Sequence, residues 1–445
     1  MSENTSNQSE NLLSPELFSF TPISNRYDKK FYNSRFFSSW RVMKKYIVSI
    51  SIITLLACNS HQSQPGGGTS FLDDCDVVAA IEVVNGDSVI VCDFNRINQK
   101  KNVPLDELLT DFTILKMDNE NEEGLIGERL PDHIVGEQYI AVFWGSQMPL
   151  KLYDKQGKYI RNIGKIGQGP GEYQSVDNVY MDEKSDRIYV LTHSATRLLL
   201  YDFEGNHYPP IPLQEESVIG SAFLPDREQG KLIFANSPWI GVTYSVWIQD
   251  FQGNMIQGCK KSDYYEENPV TTEATITRFH TPNIEYFKVE RRNTNEYLYH
   301  YSEQENRLIP RFRMSNMVDQ SIAIFIFELP KHFIVEIGTE TFPGQDEYHT
   351  PKMIIDKRTL KGCHFDGFIT PEGILLDQYR ILARCYYGYF GLIDFGSNIA
   401  EKIEKVDKGS LSSKNSKKLE ELQQLIEETD LDDDCSLLFY GKFKQ

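Results

Sequence analysis

Apolar and polar side chains alternate with a period of two through most of residues 77–403, the pattern of half-buried β-strands. Val, Ile, Tyr and Phe dominate these runs, and helical periodicity is weak there. One unit recurs: an apolar strand, a polar turn, then another strand. Its copies fall at 150–160, 199–206, 246–254, a degenerate 297–310 with the turn near Gln304-Glu305-Asn306, 353–360 and 391–398. In five of them the turn starts at an aspartate: Asp154, Asp202, Asp250, Asp356 and Asp394. Asp bonds the backbone that follows it, and a Gly or Asn accepts positive φ. The first two Asp spacings are both 48 residues, and the last is 38. Four short strands per unit of this length make a propeller blade. Six copies predict an all-β fold, a six-bladed β-propeller with four-stranded antiparallel blades. The apolar faces of neighbouring sheets then bury each other, and closure leaves no long free edge.

Within the second unit, strands are predicted at 176–181, 187–192, 197–201 and 208–213. The segment 77–94 is expected to close the ring against the last blade. Near the C-terminus, Leu419, Leu422, Leu425 and Ile426 stand at helical spacing, which predicts a short amphipathic helix over 417–429 packed on the rim. A final strand is expected at 437–443.

The N-terminus carries a different pattern. Lys44 and Lys45 precede an apolar run of 11 residues, 46–56, which ends at Leu55-Leu56-Ala57-Cys58. A membrane-spanning helix needs about 20 residues. A basic start, a short apolar stretch and a small residue before the cut describe an export signal. Leu-Leu-Ala-Cys resembles the bacterial lipobox, in which the cysteine is lipidated and becomes the new N-terminus. The expected organisation is an upstream extension over 1–42 with translation starting at Met43, a lipoprotein signal peptide over 43–57, lipidation at Cys58, a flexible tether over 58–74 and the propeller over 75–445. The tether carries Gly66-Gly67-Gly68. The expected location is the cell envelope, lipid-anchored on the periplasmic or the surface face of the outer membrane, with the lipid anchor as the membrane partner.

Charge narrows the partners. The chain holds 46 basic and 64 acidic residues, a net charge of −18. Removal of 1–57, with 7 basic and 4 acidic side chains, takes it to −21. Nucleic acid is excluded as a partner, because a phosphate-binding surface needs clustered Lys and Arg. Besides Cys58, six cysteines are widely spaced with no CxxC and no Cys–His cluster, so no zinc site is expected. Disulfides and buried free thiols both remain open.

A family resemblance rests on Val103-Pro104-Leu105-Asp106-Glu107-Leu108-Leu109, on Leu125-Ile126-Gly127, and most on 163–173, Ile-Gly-Lys-Ile-Gly-Gln-Gly-Pro-Gly-Glu-Tyr. The ending 435–444 adds to it. These stretches resemble the six-bladed β-propeller lipoproteins of Bacteroidota, relatives of NHL-repeat propellers, over residues 75–445. The resemblance implies a propeller in the envelope and leaves the activity open.

Candidate chemistry is sparse. The loop Gly167, Gly169, Pro170, Gly171, Glu172 and Tyr173 lacks the following Lys-Ser/Thr and helix of a phosphate loop, and reads as a tight crossing between blades with Glu172 and Tyr173 bonding to backbone. Trp239 reads as a loop anchor or as a ring on which a sugar stacks. Asp346, Glu347 and His349 offer oxygens and a nitrogen to a cation such as calcium, but their spacing matches no calcium loop. No other cofactor is expected. His193 and His280 stand alone, and no nucleophile–base set is visible. The function expected is that of a non-catalytic binding or scaffold propeller for an envelope protein or a glycan. The alternative is a calcium-dependent NHL-like enzyme, a lactonase or lyase, which requires acidic and amide side chains from several blades to converge on the axis.

Overall fold

The strand Arg187–Leu191 shows how the alternation becomes a blade. Ile188 and Val190 bury against Leu150, Leu152 and Ile163 of the preceding sheet. Tyr189 and Leu191 point the other way, into a cluster with Phe223, Phe234 and Trp247 of the next sheet. A strand with two covered faces is buried at nearly every position, and each large apolar side chain so removed from water contributes about 1.5–3 kcal/mol. Phe234 and Trp247 stack with ring centres 4.8 Å apart.

The computed structural model describes residues 70–445 except 119, 128–130, 219, 237–240, 265–271, 277–284, 291–296, 318–322, 339–350, 379–381, 383–384 and 430–435. The chain divides into two units, 1–66 and 67–445, and all described residues lie in the second. Blade 1 consists of Asp132–Val135, Tyr139–Trp144, Met148–Asp154 and Tyr159–Ile163. Blade 2 is Asn178–Asp182, Arg187–Leu191, Arg197–Tyr201 and His207–Pro212, and blade 3 is Ala222–Asp226, Lys231–Ala235, Tyr244–Asp250 and Met255–Lys260. Blade 4 is Thr272–Ile276, Glu285–Glu290, Leu298–Ser302 and Arg307–Ser315, and blade 5 is Ala323–Glu328, His332–Gly338, Lys352–Asp356 and Gly362–Phe365.

The predicted turn chemistry is visible in the connections. Asp250 Oδ1 accepts from the N–H groups of Gln252 and Asn254, both at 2.8 Å. Asp154 and Asp202 repeat the motif. Gly157, Gly205 and Gly253 follow with φ of 82°, 84° and 87°. Blades 1 and 2 are stapled at the turns between their first and second strands, at the same end as these aspartates. The Glu183 carboxylate of blade 2 accepts from the N–H groups of Glu137, Gln138 and Tyr139 of blade 1 at 3.0–3.1 Å.

The ring departs from the six blades expected: it has seven sheets. After blade 5 the chain builds two three-stranded sheets where one blade was foreseen. Blade 6 pairs Leu375–Leu376 and Phe368–Ile369 with Val103–Pro104, and blade 7 pairs Tyr389–Phe395 and Ser436–Phe443 with Leu109–Lys116. The third strand of each comes from the N-terminal side of the ring, more than 250 residues away in sequence. The strands of blade 6 are two residues long, too short for a periodic signal. Closure therefore rests on 103–116. The segment 77–94, expected to close the ring, forms the hairpin Ala79–Val84 and Asp87–Asp93 on the edge of blade 4. Asn85 and Gly86, with φ of 52° and 93°, make its two-residue turn. Arg307 fixes it through paired bonds to Asp87 at 2.7 and 2.9 Å.

The sixth repeat also differs. Asp394 opens no turn. The chain passes from Phe395 into the helix Gly396–Glu404. The amphipathic helix expected at 417–429 runs over Ser413–Glu428 and buries Leu419, Leu422 and Ile426. No helix among the described residues is long and apolar enough to cross a membrane.

Candidate binding cleft

Asp394 is the last residue but one of the strand Tyr389–Phe395, and the helix begins at Gly396. Asn398 and Lys402, four residues apart in the helix, share one face, and both meet Asp394. Asp394 is 2% exposed. Its Oδ1 accepts from the Asn398 amide and from the Phe395 N–H, both at 2.9 Å. Its Oδ2 accepts from the Gln378 amide and lies 3.6 Å from Lys402 Nζ. Lys402 also meets Asp377 at 2.9 Å. Burial pushes the Asp377 carboxyl up, but the Lys402 hydrogen bond and charge outweigh it and hold it below its ordinary range.

A buried lysine sets the Asp377–Gln378 corner. Lys352 Nζ donates to the backbone oxygens of Asp366, Asp377 and Gln378 at 3.1, 2.8 and 3.1 Å. Burial pulls its pKa down. The Gln378 side chain is thus aimed at Asp394. Its Oε1 is buried with no hydrogen-bond partner among the described residues.

These groups sit in a cleft of about 710 Å³ between blade 6, the helix Gly396–Glu404 and residues 405–415. That volume suits a small ligand or a few residues of a chain. The lining mixes polar Asp106, Glu401, Lys405, Asp407 and Asn415 with apolar Pro104, Ile369, Leu375, Val406 and Leu411. The Asp394 carboxylate is held by donors on both oxygens, and the buried Gln378 oxygen keeps acceptor capacity for a further donor.

The glycine-rich loop is a compact crossing. Lys165–Ile166 and Glu172–Tyr173 pair in parallel within it. Glu172 accepts from the Gly169 N–H at 2.8 Å and meets Lys165 at 2.9 Å. The Lys165 bond, joined by that of Gly169, holds its carboxyl below the usual range. The Tyr173 hydroxyl donates to the Ile163 carbonyl at 2.6 Å and accepts from the Leu150 N–H at 2.8 Å. Gly169, Pro170 and Gly171 border a smaller cavity of about 300 Å³ with Arg197, His207 and Tyr208.

Cys58, Trp239, Asp346, Glu347, His349 and His280 lie outside the described residues. His193 is not isolated: its Nδ1 is 3.5 Å from Asp177. Tyr386 and Tyr387 pack against blades 1 and 2. Tyr387 donates to the Val179 carbonyl at 2.9 Å and meets Tyr180 edge-on at 4.9 Å. Among the described residues, no group of three or more His, Cys, Asp and Glu side chains could hold a metal ion. Sequence reasoning missed the Asp377, Gln378 and Lys402 cluster. The four-residue spacing of Asp394, Asn398 and Lys402 was the available signal, masked by the resemblance of Asp394 to the other turn aspartates.

No curated protein matches this chain. Among solved structures, a Bacteroides fragilis protein assigned as exported is 14% identical, with 80% of this chain and 100% of that chain covered and a TM-score of 0.50. A member of the DUF4221 family from Bacteroides vulgatus is 9% identical, covering 76% and 97%, with a TM-score of 0.42. Hydrazine synthase of Kuenenia stuttgartiensis is 11% identical, covering 70% and 87%, with a TM-score of 0.37. The first shares the propeller fold, and nothing is drawn from the other two. Residues 89–359, more than half of the 445, match the family described as domain of unknown function DUF4934, and the chain belongs to that family.

Proposed function

We propose that this chain is an exported, lipid-anchored binding propeller whose cleft at Asp394 takes up a polypeptide segment of a partner protein. The observation that carries this reading is the fixed, buried Asp394 carboxylate beside the unpartnered Gln378 Oε1 in an open cleft. The Gln378 oxygen asks for a donor, as peptide N–H groups and basic side chains provide, and the Asp394 carboxylate fixes the amide that carries it. Carboxylates, two lysines, amides and apolar side chains share the walls, a mixture suited to a peptide. Sugars stack on aromatic faces, and no aromatic ring is among the described residues lining the cleft. Export and anchoring are supported by Lys44-Lys45, the 11-residue apolar run and Leu-Leu-Ala-Cys58. The likeness to a Bacteroides fragilis protein assigned as exported is consistent with them.

The test is the melting temperature of the full chain against panels of peptides and oligosaccharides. A ligand at a hundred times its Kd adds about 2.7 kcal/mol of stability. A peptide that raises the melting temperature of the wild type but not of Asp394→Ala supports the proposal. An oligosaccharide shift lost in Trp239→Ala and retained in Asp394→Ala overturns it in favour of glycan capture. For the anchor, Cys58→Ser is expected to leave the membrane fraction, and its retention there contradicts lipidation.

A further inference from the structure

We propose that Cys75 and Cys363 are joined by a disulfide in the exported protein, pinning the segment after the tether to blade 5. The backbone register places them together. Val77 and Lys361 form an antiparallel bridge. One residue outward on each side, the Gly362 N–H donates to the Asp76 carbonyl at 3.2 Å. One more step sets Cys75 opposite Cys363. Residues opposed in antiparallel pairing have Cα atoms about 4.5–5.5 Å apart, inside the roughly 4.4–6.8 Å that a disulfide requires. The two thiols lie within hydrogen-bond reach of each other. Both residues are buried, at 5% and 0% exposure.

The remaining described cysteines have other surroundings. Cys92 lies in the strand Asp87–Asp93 and Cys259 in Met255–Lys260, and neither has a described cysteine acting on it. The Cys385 thiol is engaged by Gly391, whose N–H lies at 3.3 Å. Burial pushes both thiols up, that of Cys363 to about 12, and the charge of Lys101 acts on both sulfurs against it. The oxidant is an oxidised dithiol carrier. Cys75 and Cys363 give up two electrons and two protons, one S–S bond forms between them, and the carrier's S–S bond becomes two thiols.

The consequence is mechanical. The edge hairpin Ala79–Val84 and Asp87–Asp93 begins four residues after Cys75. A pull on the lipid anchor is then borne by blade 5 and does not peel the hairpin. The inference rests on the export reading, because the cytoplasm keeps thiols reduced.

Two arms separate the ideas. In the first, the full chain is purified reduced, equilibrated in a glutathione buffer at the poise of an oxidising compartment, alkylated and digested. One peptide pair joined through Cys75 and Cys363 is expected, with Cys92 and Cys259 alkylated. Recovery of Cys75 and Cys363 as alkylated thiols, or joined elsewhere, overturns the proposal whatever the protein's location. In the second arm the chain is recovered from cell fractions. The same linked pair from the envelope supports the proposal. Envelope protein with both thiols free overturns the disulfide and leaves export standing. Absence from the envelope overturns export, and with it the disulfide's occurrence in the cell.

Discussion

Lys402 Nζ stands 3.6 Å from the buried carboxylate of Asp394 and 2.9 Å from the exposed carboxylate of Asp377. One lysine thus joins blade 7 to the corner after blade 6 across the cleft floor. Lys402→Met removes both contacts and leaves Asp394 with its amide and backbone donors. A loss of about 1–3 kcal/mol is expected, read as a lower urea midpoint with an unchanged slope. An unchanged midpoint would show Lys402 to be idle in the fold.

The Tyr173 hydroxyl serves a donor and an acceptor of the buried backbone at once. In Tyr173→Phe both are left unpaired, and the expected cost is about 1–3 kcal/mol. Thermal unfolding with a two-state check measures it, and a stability within error of wild type contradicts the role given to the hydroxyl.

Stability is expected to fall in mild acid through His332. Burial, opposed by Asp356 at 3.6 Å and aided by Lys357 and Lys331, brings its pKa down to about 4. The unfolded chain, with an ordinary histidine near 6.5, takes the proton first. The contribution is complete above pH 6.5 and lost as the pH falls toward 4, by up to about 3 kcal/mol. Glu328 and Asp356 are held below their ordinary range, so their losses fall below this window. Burial pushes both carboxyls up, but His300 and Lys357 outweigh it at Glu328, and the Thr359 hydrogen bonds and His332 do so at Asp356. The difference between urea midpoints at pH 7 and 5 should be larger in the wild type than in His332→Gln, where His364, also lowered by burial, still contributes; equal differences in both proteins contradict it.

Two glycines separate backbone conformation from packing. Gly164 and Gly86 both have positive φ, 66° and 93°. A Cβ on Gly86 meets nothing within 4 Å, whereas one on Gly164 stands 2.7 Å from the Tyr173 ring. Gly86→Ala should cost about 1–2 kcal/mol from φ alone. Gly164→Ala should cost more. Equal midpoints for the two variants would contradict the tight crossing.

What was legible in the sequence is what is local. Arg197–Tyr201 has its predicted bounds, because alternation and the Asp turn define it without outside help. Leu419, Leu422 and Ile426 bury as their spacing requires. The blade count was not legible, because Val103–Pro104 and Leu109–Lys116 complete sheets whose other strands lie at the far end of the chain. Asp394 shows the limit for sites. Its local sequence matches the turn aspartates, and only the approach of Gln378 and Lys402 makes it a buried carboxylate.

The central claim is tested most directly by photocrosslinking in living cells, with a photoreactive residue at Lys405 on the cleft wall. The same residue at the exposed Glu228, in the turn between the first two strands of blade 3, is the control. The cleft account predicts a discrete protein adduct from position 405 that is absent from position 228 and lost in Asp394→Ala at unchanged protein level. No adduct at 405, or one that survives Asp394→Ala, contradicts it.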